Sequence, residues 1–409
     1  MTTMIDNEQK TLNVPNLRFP EFEGEWEKKR LGDFTERVKR KNKYNLSKLP
    51  LTISAKYGLV DQITFFNKIV ASTDMSNYYL LKKGEFAYNK SYSNDYPWGA
   101  IKRLDNYEQG VLSALYICFA TQDNVESDFI LQYFESPKWH KSVSEIAVEG
   151  ARNHGLLNIS VQDFFQTYHY VPKEKKEQTK IATLLHLIDE RISTQNKIIE
   201  DLKKLRSAIS KQLFERRDLL GTKIKLSKVA ELKNGYAFQS SKYNSLGEWK
   251  IITITNVTGE RYIKENDCNC ILEIPNDIQK HQKLKANDIL ISLTGNVGRV
   301  SLCTEGLFLL NQRVGLLQLK VSEDREYIYQ ALSSHKFENS MIACAQGAAQ
   351  MNIGKGDVEN YILPYSFNRK NISIVASILR AYDKYIINET NLQSILHIQK
   401  QYLLRQMFI

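Results

Sequence analysis

The sequence predicts an α+β protein in which two α/β-mixed globules are joined by two long antiparallel coiled-coil helices with a pseudo-two-fold internal repeat. Three observations predict it. Two segments carry apolar residues on a four-three rhythm, the second repeats the first at a shift of 194 residues, and each follows a stretch of short β-rich runs. A length of 409 residues also points to two or three domains, at roughly 150 residues per domain.

In chain order, the first globule contains β-rich runs such as Val111 to Phe119. The first long helix follows Pro172. Its positions Ile181, Leu185, Ile188, Ile192, Gln195, Ile199, Leu202, Arg206, Ile209 and Leu213 form the seam, and no proline or glycine interrupts the chain before Gly221. The second globule has β-rich runs at Trp249 to Val257 and Asp288 to Leu293, with Asn287 to Ile291 aligning on Gly84 to Tyr88.

The second helix carries Val375, Leu379, Tyr382, Ile386, Glu389, Gln393, Leu396, Lys400, Leu403 and Met407 on the same rhythm. Asp189 aligns with Asp383, Gln195 with Glu389 and Arg206 with Lys400. Independent helices would seldom agree on where their seam is broken. Asn158, Ile159 and Asp163 likewise match Asn352, Ile353 and Asp357. Packed antiparallel, such helices would place an equivalent globule at each end, as a two-headed DNA reader requires.

The net charge of +10 suggests an acidic partner such as nucleic acid. Most of the excess lies in the helical segments, with 12 basic against 8 acidic groups at 171–218 and 6 against 2 at 365–409. One basic cluster, Arg37, Lys39, Arg40, Lys41 and Lys43, stands in the first half. Five scattered cysteines, Cys118, Cys268, Cys270, Cys303 and Cys344, argue against a secreted disulfide framework. With no long apolar run and no basic-then-apolar start, a cytoplasmic protein without membrane association is expected.

Motifs of ordinary enzymes are absent. The sequence has no phosphate loop, no Gly-x-Gly-x-x-Gly fingerprint and no Asn-Pro-Pro-Tyr adenine-methylation motif. Cys268 and Cys270 with His281 fit no common zinc spacing, so neither a metal site nor a catalytic residue is expected. Several loops instead combine cationic, amide and aromatic groups of the kind that contact phosphates and base edges. In the first half they supply Lys56, Tyr57, Lys90, Tyr92, Asn94, Arg152, Asn153 and His154. In the second half they supply Gln239, Lys242, Tyr243, Asn296, Arg299, Gln346 and Gln350.

Pro15 to Phe22 with Gly24, Glu25, Trp26 and Leu31 to Asp33, the helical segment Gln178 to Phe214, and Asn234 to Phe238 together resemble type I restriction-modification specificity subunits. The likeness runs along essentially the whole chain. It implies target-recognition domains at 1–170 and 219–364, with helical spacers at 171–218 and 365–409. It further implies a non-catalytic subunit that reads a bipartite double-stranded DNA target. Ile181, Leu185, Ile188, Ile192, Leu202, Leu379, Ile386 and Leu396 would pack the helices. Two modification subunits would bring S-adenosylmethionine, and two restriction subunits would bring ATP with magnesium. A stand-alone DNA-binding scaffold or a nuclease with an unrecognised site is the competing reading. A gel shift with and without a modification subunit separates them.

Overall fold

The computed structural model describes residues 12–409 apart from 55–56, 69–70, 93–95, 148–154, 321–324 and 347–350. The chain divides into two compact units, Met1–Thr194 with Gln393–Ile409, and Gln195–Leu392.

The first unit opens with β1 (Glu27–Arg30), α1 (Leu31–Phe34) and β2 (Thr35–Arg37). A hairpin of β3 (Leu51–Ser54) and β4 (Gly58–Asp61) leads to α2 (Gln62–Phe66), whose first amides donate to the Asp61 carboxylate. Then come β5 (Tyr79–Lys82), β6 (Phe86–Asn89), β7 (Ala100–Arg103), β8 (Gln109–Leu112) and β9 (Ile117–Thr121). Three helices, α3 (Ser127–Glu135), α4 (His140–Ser144) and α5 (Val161–Gln166), precede β10 (Tyr168–Val171) and the long α6 (Lys175–Glu215). The main sheet has the order β2-β9-β6-β7, antiparallel throughout, and β1 pairs with β10 beside it.

The second unit repeats this plan. It begins with β11 (Thr222–Lys225), β12 (Ala230–Asn234), β13 (Trp249–Ile252), β14 (Asn269–Ile271), β15 (Ile289–Ser292), β16 (Val300–Leu302), β17 (Phe308–Leu310) and β18 (Val314–Leu319). It continues with α7 (Arg325–Leu332), α8 (His335–Ala345), α9 (Lys355–Glu359), β19 (Ile362–Tyr365) and α10 (Arg369–Gln406). The order β12-β18-β15-β16 is again antiparallel, and β11 pairs with β19 as β1 does with β10. A separate β14-β13-β17 sheet contains one parallel pairing, β13 with β17.

The turn entering the inner strand is built alike in both units. Gly84 (φ 87°) and Asn287 (φ 66°) are both left-handed, a conformation that glycine and asparagine tolerate best. Their amides donate to Leu104 and Cys303 carbonyls, and the next residue, Glu85 or Asp288, accepts from the Lys82 or Lys285 amide.

Two β-rich runs are shorter than the sequence suggests. Val111 to Phe119 is broken after Leu112, because the Ser113 hydroxyl accepts from Leu115 and its carbonyl from Tyr116. The two halves join different sheets, β8 with β5 and β9 with β2 and β6. Trp249 to Val257 ends as a strand at Ile252, where the Asn256 side chain accepts from the Thr253 amide and closes a turn. Short polar side chains offer the backbone this alternative to a sheet ladder.

The long helices follow their apolar rhythm. In the first unit Ile181, Leu185, Ile188, Ile192, Leu396 and Leu403 are buried. In the second, Ile199, Leu213, Val375 and Leu379 are buried, while Leu202 and Ile386 are half-buried. Each fully buried side chain of this kind contributes roughly 1.5–3 kcal/mol. Within the second unit Gln195 donates to the Glu389 carboxylate and Arg206 to Asp383, so α6 and α10 run antiparallel there. No helix among the described residues is long and apolar enough to cross a membrane.

Candidate nucleic-acid interface

Each main sheet sends out a loop from its inner strand, and in both units that loop is stitched to the segment ahead of the last short helix. In the first unit β6 ends at Asn89, whose side chain accepts from the Ser91 amide. Tyr92 donates its amide to the Gly155 carbonyl and Leu157 donates to Lys90, with a bridge between Ser91 and Leu156. Residues 90–92 are therefore held against 155–157. Gly155 is left-handed (φ 70°), and the Tyr92 ring lies 3.5 Å from where a Cβ there would stand.

The second unit makes the same stitch after β15. Gly295 donates to the Met351 carbonyl, Ile353 to Leu293, and Thr294 bridges Asn352. Gly298 (φ 78°) brings the loop so close to α8 that a Cβ would sit 2.7 Å from that of Met341. The Ser292 hydroxyl donates to the Asn296 carbonyl and accepts from the Arg299 amide, which folds the loop back on itself. Within this folded loop Asn296 is exposed, while Arg299 is half-exposed with Nε 3.6 Å from Glu338.

The expected contact residues fall into distinct settings. Tyr92 and Tyr57 are exposed, the latter at the tip of the β3–β4 hairpin, where its amide donates to the Ser54 hydroxyl. The Lys90 ammonium donates to the Ile159 carbonyl and so ties the stitch from the side-chain end. Gln346 is exposed at the C-terminal cap of α8. Lys56, Asn94, Arg152, Asn153, His154 and Gln350 lie outside the described residues.

Gln239 and Lys242 are exposed on the turn after the Asn234 to Phe238 segment, and with Tyr236, Phe238 and Asn276 they line a hollow of about 430 Å³. Tyr243, by contrast, is half-buried against Ile251, Ile271 and Leu309. Sequence reasoning missed the segment from Ile271 to Asn276 that also lines that hollow, and the bond that fixes Asp277 next to it. The Tyr236 hydroxyl donates to Asp277 at 2.8 Å, which raises its pKa, and the only local signal was the turn composition around Pro275 and Asn276.

Much of the basic cluster in the first half is internally engaged. Arg40 forms a two-pronged contact with Glu85 at 3.0 and 3.1 Å, Arg37 donates to the Tyr79 hydroxyl, and the Lys41 ammonium lies 3.7 Å from the Tyr79 ring centre. Burial pushes the Cys118 and Cys303 thiols up to about 12, which suits packing and not nucleophilic chemistry. Cys268 accepts from the Asn256 amide group, and no cluster of three or more metal-ligating side chains occurs among the described residues.

Residues 222–397 match the family described as the type I restriction modification DNA specificity domain. A curated relative, the type I restriction enzyme MjaVIII specificity subunit of Methanocaldococcus jannaschii, is 24% identical over 284 residues, 63% of this chain. That match spans 64% of the relative's length. Among solved structures, the S subunit of a type I restriction-modification system from M. genitalium gives a TM-score of 0.56 at 17% identity, over 97% of this chain and 99% of that one. A chain from a study of complex assembly and conformational transition of the type I R-M system gives 0.56 at 16% identity, over 94% and 97%. At these identities the structural likeness concerns the fold.

Proposed function

We propose a DNA-reading role for this chain, whose residues 222–397 match the type I restriction modification DNA specificity domain and whose fold is similar to that of a specificity subunit over both units. The observation that carries the proposal is the stitched loop pair, present twice on the same sheet topology. A pair of equivalent heads suits a target split into two half-sites.

In this reading, 1–170 and 219–364 are target-recognition domains, and 171–218 with 365–409 form an antiparallel helical spacer between them. Tyr57, Lys90 and Tyr92, together with Lys56, Asn94 and Arg152 to His154, serve one half-site. Gln239, Lys242, Tyr243, Asn296, Arg299, Gln346 and Gln350 serve the other. The chain recognises and the partners react: modification subunits with S-adenosylmethionine methylate adenine, and restriction subunits use ATP and magnesium.

Exposed apolar residues on the helices support docking of the modification subunits. Ile374, Ile378, Tyr385, Ile395 and Tyr402 of α10 fall on a second four-three rhythm, and Leu187, Ile198 and Leu205 do so on α6. Unpaired apolar helix faces are the usual footing for a partner helix. The test is to combine the chain with a modification subunit and map methylated adenines in DNA. A bipartite pattern that changes when loop residues change is expected, and a pattern indifferent to them would refute the role.

A further inference from the structure

The second unit holds a groove that the duplication does not explain. It runs between the last turns of α6 and helices α7 and α8, has a volume of about 870 Å³, and has Ala208, Phe214, Tyr361 and Pro364 in its lining. At the shift of 194 residues, Ser210 and Phe214 correspond to Leu404 and Phe408. In the first unit those two are 0% and 1% exposed, and Phe408 packs against Trp26 and Phe129. In the second unit a serine stands where the leucine would be, and its buried hydroxyl has no partner among the described residues. Phe214 is only half-buried, touching Tyr327 edge-on. A filled site in one unit is thus a hollow in the other.

The rim of the hollow is cationic on both sides. Lys203 and Lys211 come from α6 and Lys336 from α8, none with an ion-pair partner among the described residues, and Glu215 is the one carboxylate in the lining. An adjoining hollow of about 580 Å³ shares Lys336, Tyr361 and Pro364 and continues to Lys223 and the exposed Ile362. The combined surface places Phe214, Tyr361, Ile362 and Pro364 among lysines, with Glu215 and Asp357 as its carboxylates, the latter accepting from the Gly354 amide.

We propose that this groove docks an acidic amphipathic helix of a partner protein. An apolar floor rewards Leu- or Phe-like side chains spaced at i, i+3, i+4 and i+7, and lysines on both walls reward carboxylates on the flanks. A phosphodiester backbone would use the lysines but gain nothing from Phe214, Tyr361 and Pro364. The inference stands apart from the DNA-reading role, since none of these residues belongs to the stitched loops.

The test uses the full chain and a fluorescent designed peptide of about 18 residues, roughly five helical turns, with leucines at that spacing and glutamates elsewhere. Its glutamine counterpart and a labelled DNA duplex of arbitrary sequence serve as the other probes. The glutamate peptide should bind at least about tenfold more tightly than the glutamine one, a difference of about 1.4 kcal/mol. Ala208→Trp, which fills the groove from an exposed position, and the double variant Lys211→Glu, Lys336→Glu should each weaken binding by about tenfold or more with unchanged thermal midpoints. Binding weaker than about 1 mM, variants that bind like the parent, or loss of duplex binding in the same variants without peptide binding would each overturn the proposal.

Discussion

Asp189 accepts a 2.5 Å hydrogen bond from the Lys400 ammonium between α6 and α10 in the first unit. The second unit builds the corresponding layer with Asp383 and Arg206 at 3.1 Å. Gln132 of α3 donates to Asp189, and Gln330 of α7 donates to Asp383, so each layer also fastens a globule helix to the long pair. The second layer is elaborated by Arg261, which bonds both Asp383 and Glu326. Burial lowers the Arg261 pKa, but its hydrogen bonds to Glu326 and the charges of Glu326 and Asp383 outweigh that and raise it.

Removing Asp383 leaves the Arg206 guanidinium with only the neutral Gln330 and Ser333 as partners among the described residues, and leaves Arg261 with Glu326 alone. Arg261 and Asp383 are 9% and 8% exposed, so Asp383→Ala should cost about 3–5 kcal/mol of stability. Asp189→Ala, whose carboxylate is about one-third exposed, should cost nearer 1 kcal/mol. Denaturant unfolding of both variants measures the difference, and equal losses would contradict the contrast in burial.

His169 is fully buried, sharing 2.8 Å hydrogen bonds with the Tyr133 and Thr167 hydroxyls, and burial pushes its pKa down to about 3. Because the unfolded chain binds this proton near pH 6.5, stability is complete above that pH and declines as pH falls from 6.5 toward 3. The thermal midpoint should drop across that window, with a shallower slope in His169→Gln. Parallel slopes would assign the acid sensitivity to other groups.

The chain purified alone should transfer no methyl group from labelled S-adenosylmethionine to DNA. Incorporation well above background without a second protein would contradict a chain that recognises DNA and leaves the chemistry to its partners.

The two heads should fail independently. Tyr92→Ala should relax only one half-site and Arg299→Ala only the other, with each lost base contact worth about 1–3 kcal/mol of discrimination. Methylome sequencing of cells carrying each variant reads this out, and a simultaneous change in both halves would contradict the assignment.

A four-residue insertion next to Gln195 lengthens α6 by about 6 Å, one helical turn. If the helices are a spacer, the undefined gap in the DNA target should grow by roughly one or two base pairs at about 3.4 Å each, with both half-sites retained. An unchanged gap with full activity would show that the distance is set elsewhere.

The helices and their shared interruptions were legible in the sequence, because each depends on local periodicity, whereas the alignment of Gly84 with Asn287 gave no sign of the left-handed turn both residues form. Even so, the alignment of Arg206 with Lys400 did not reveal that both would face the same aspartate position. The stitches from Leu157 to Lys90 and from Ile353 to Leu293 were not legible, since a backbone bond across some 60 residues leaves no local pattern. Nor was the anchoring of the opening segment, where Arg18 and the Trp26 indole both donate to Glu177. The engagement of Arg40 by Glu85 was hidden for the same reason, which made the basic cluster look freer than it is.

The composition of the compact units dictates an order of assembly during translation. The second is one uninterrupted stretch, Gln195–Leu392, whereas the first needs Gln393–Ile409 to close around Trp26, Phe129 and Tyr133 with Phe408. At about 5–20 residues per second, the ribosome takes on the order of ten to forty seconds between finishing the front part of the first unit and delivering its last helix turns. Throughout that interval the nascent first unit exposes an aromatic surface that later belongs to its core. The unit whose synthesis begins first is thus the one whose core is completed last.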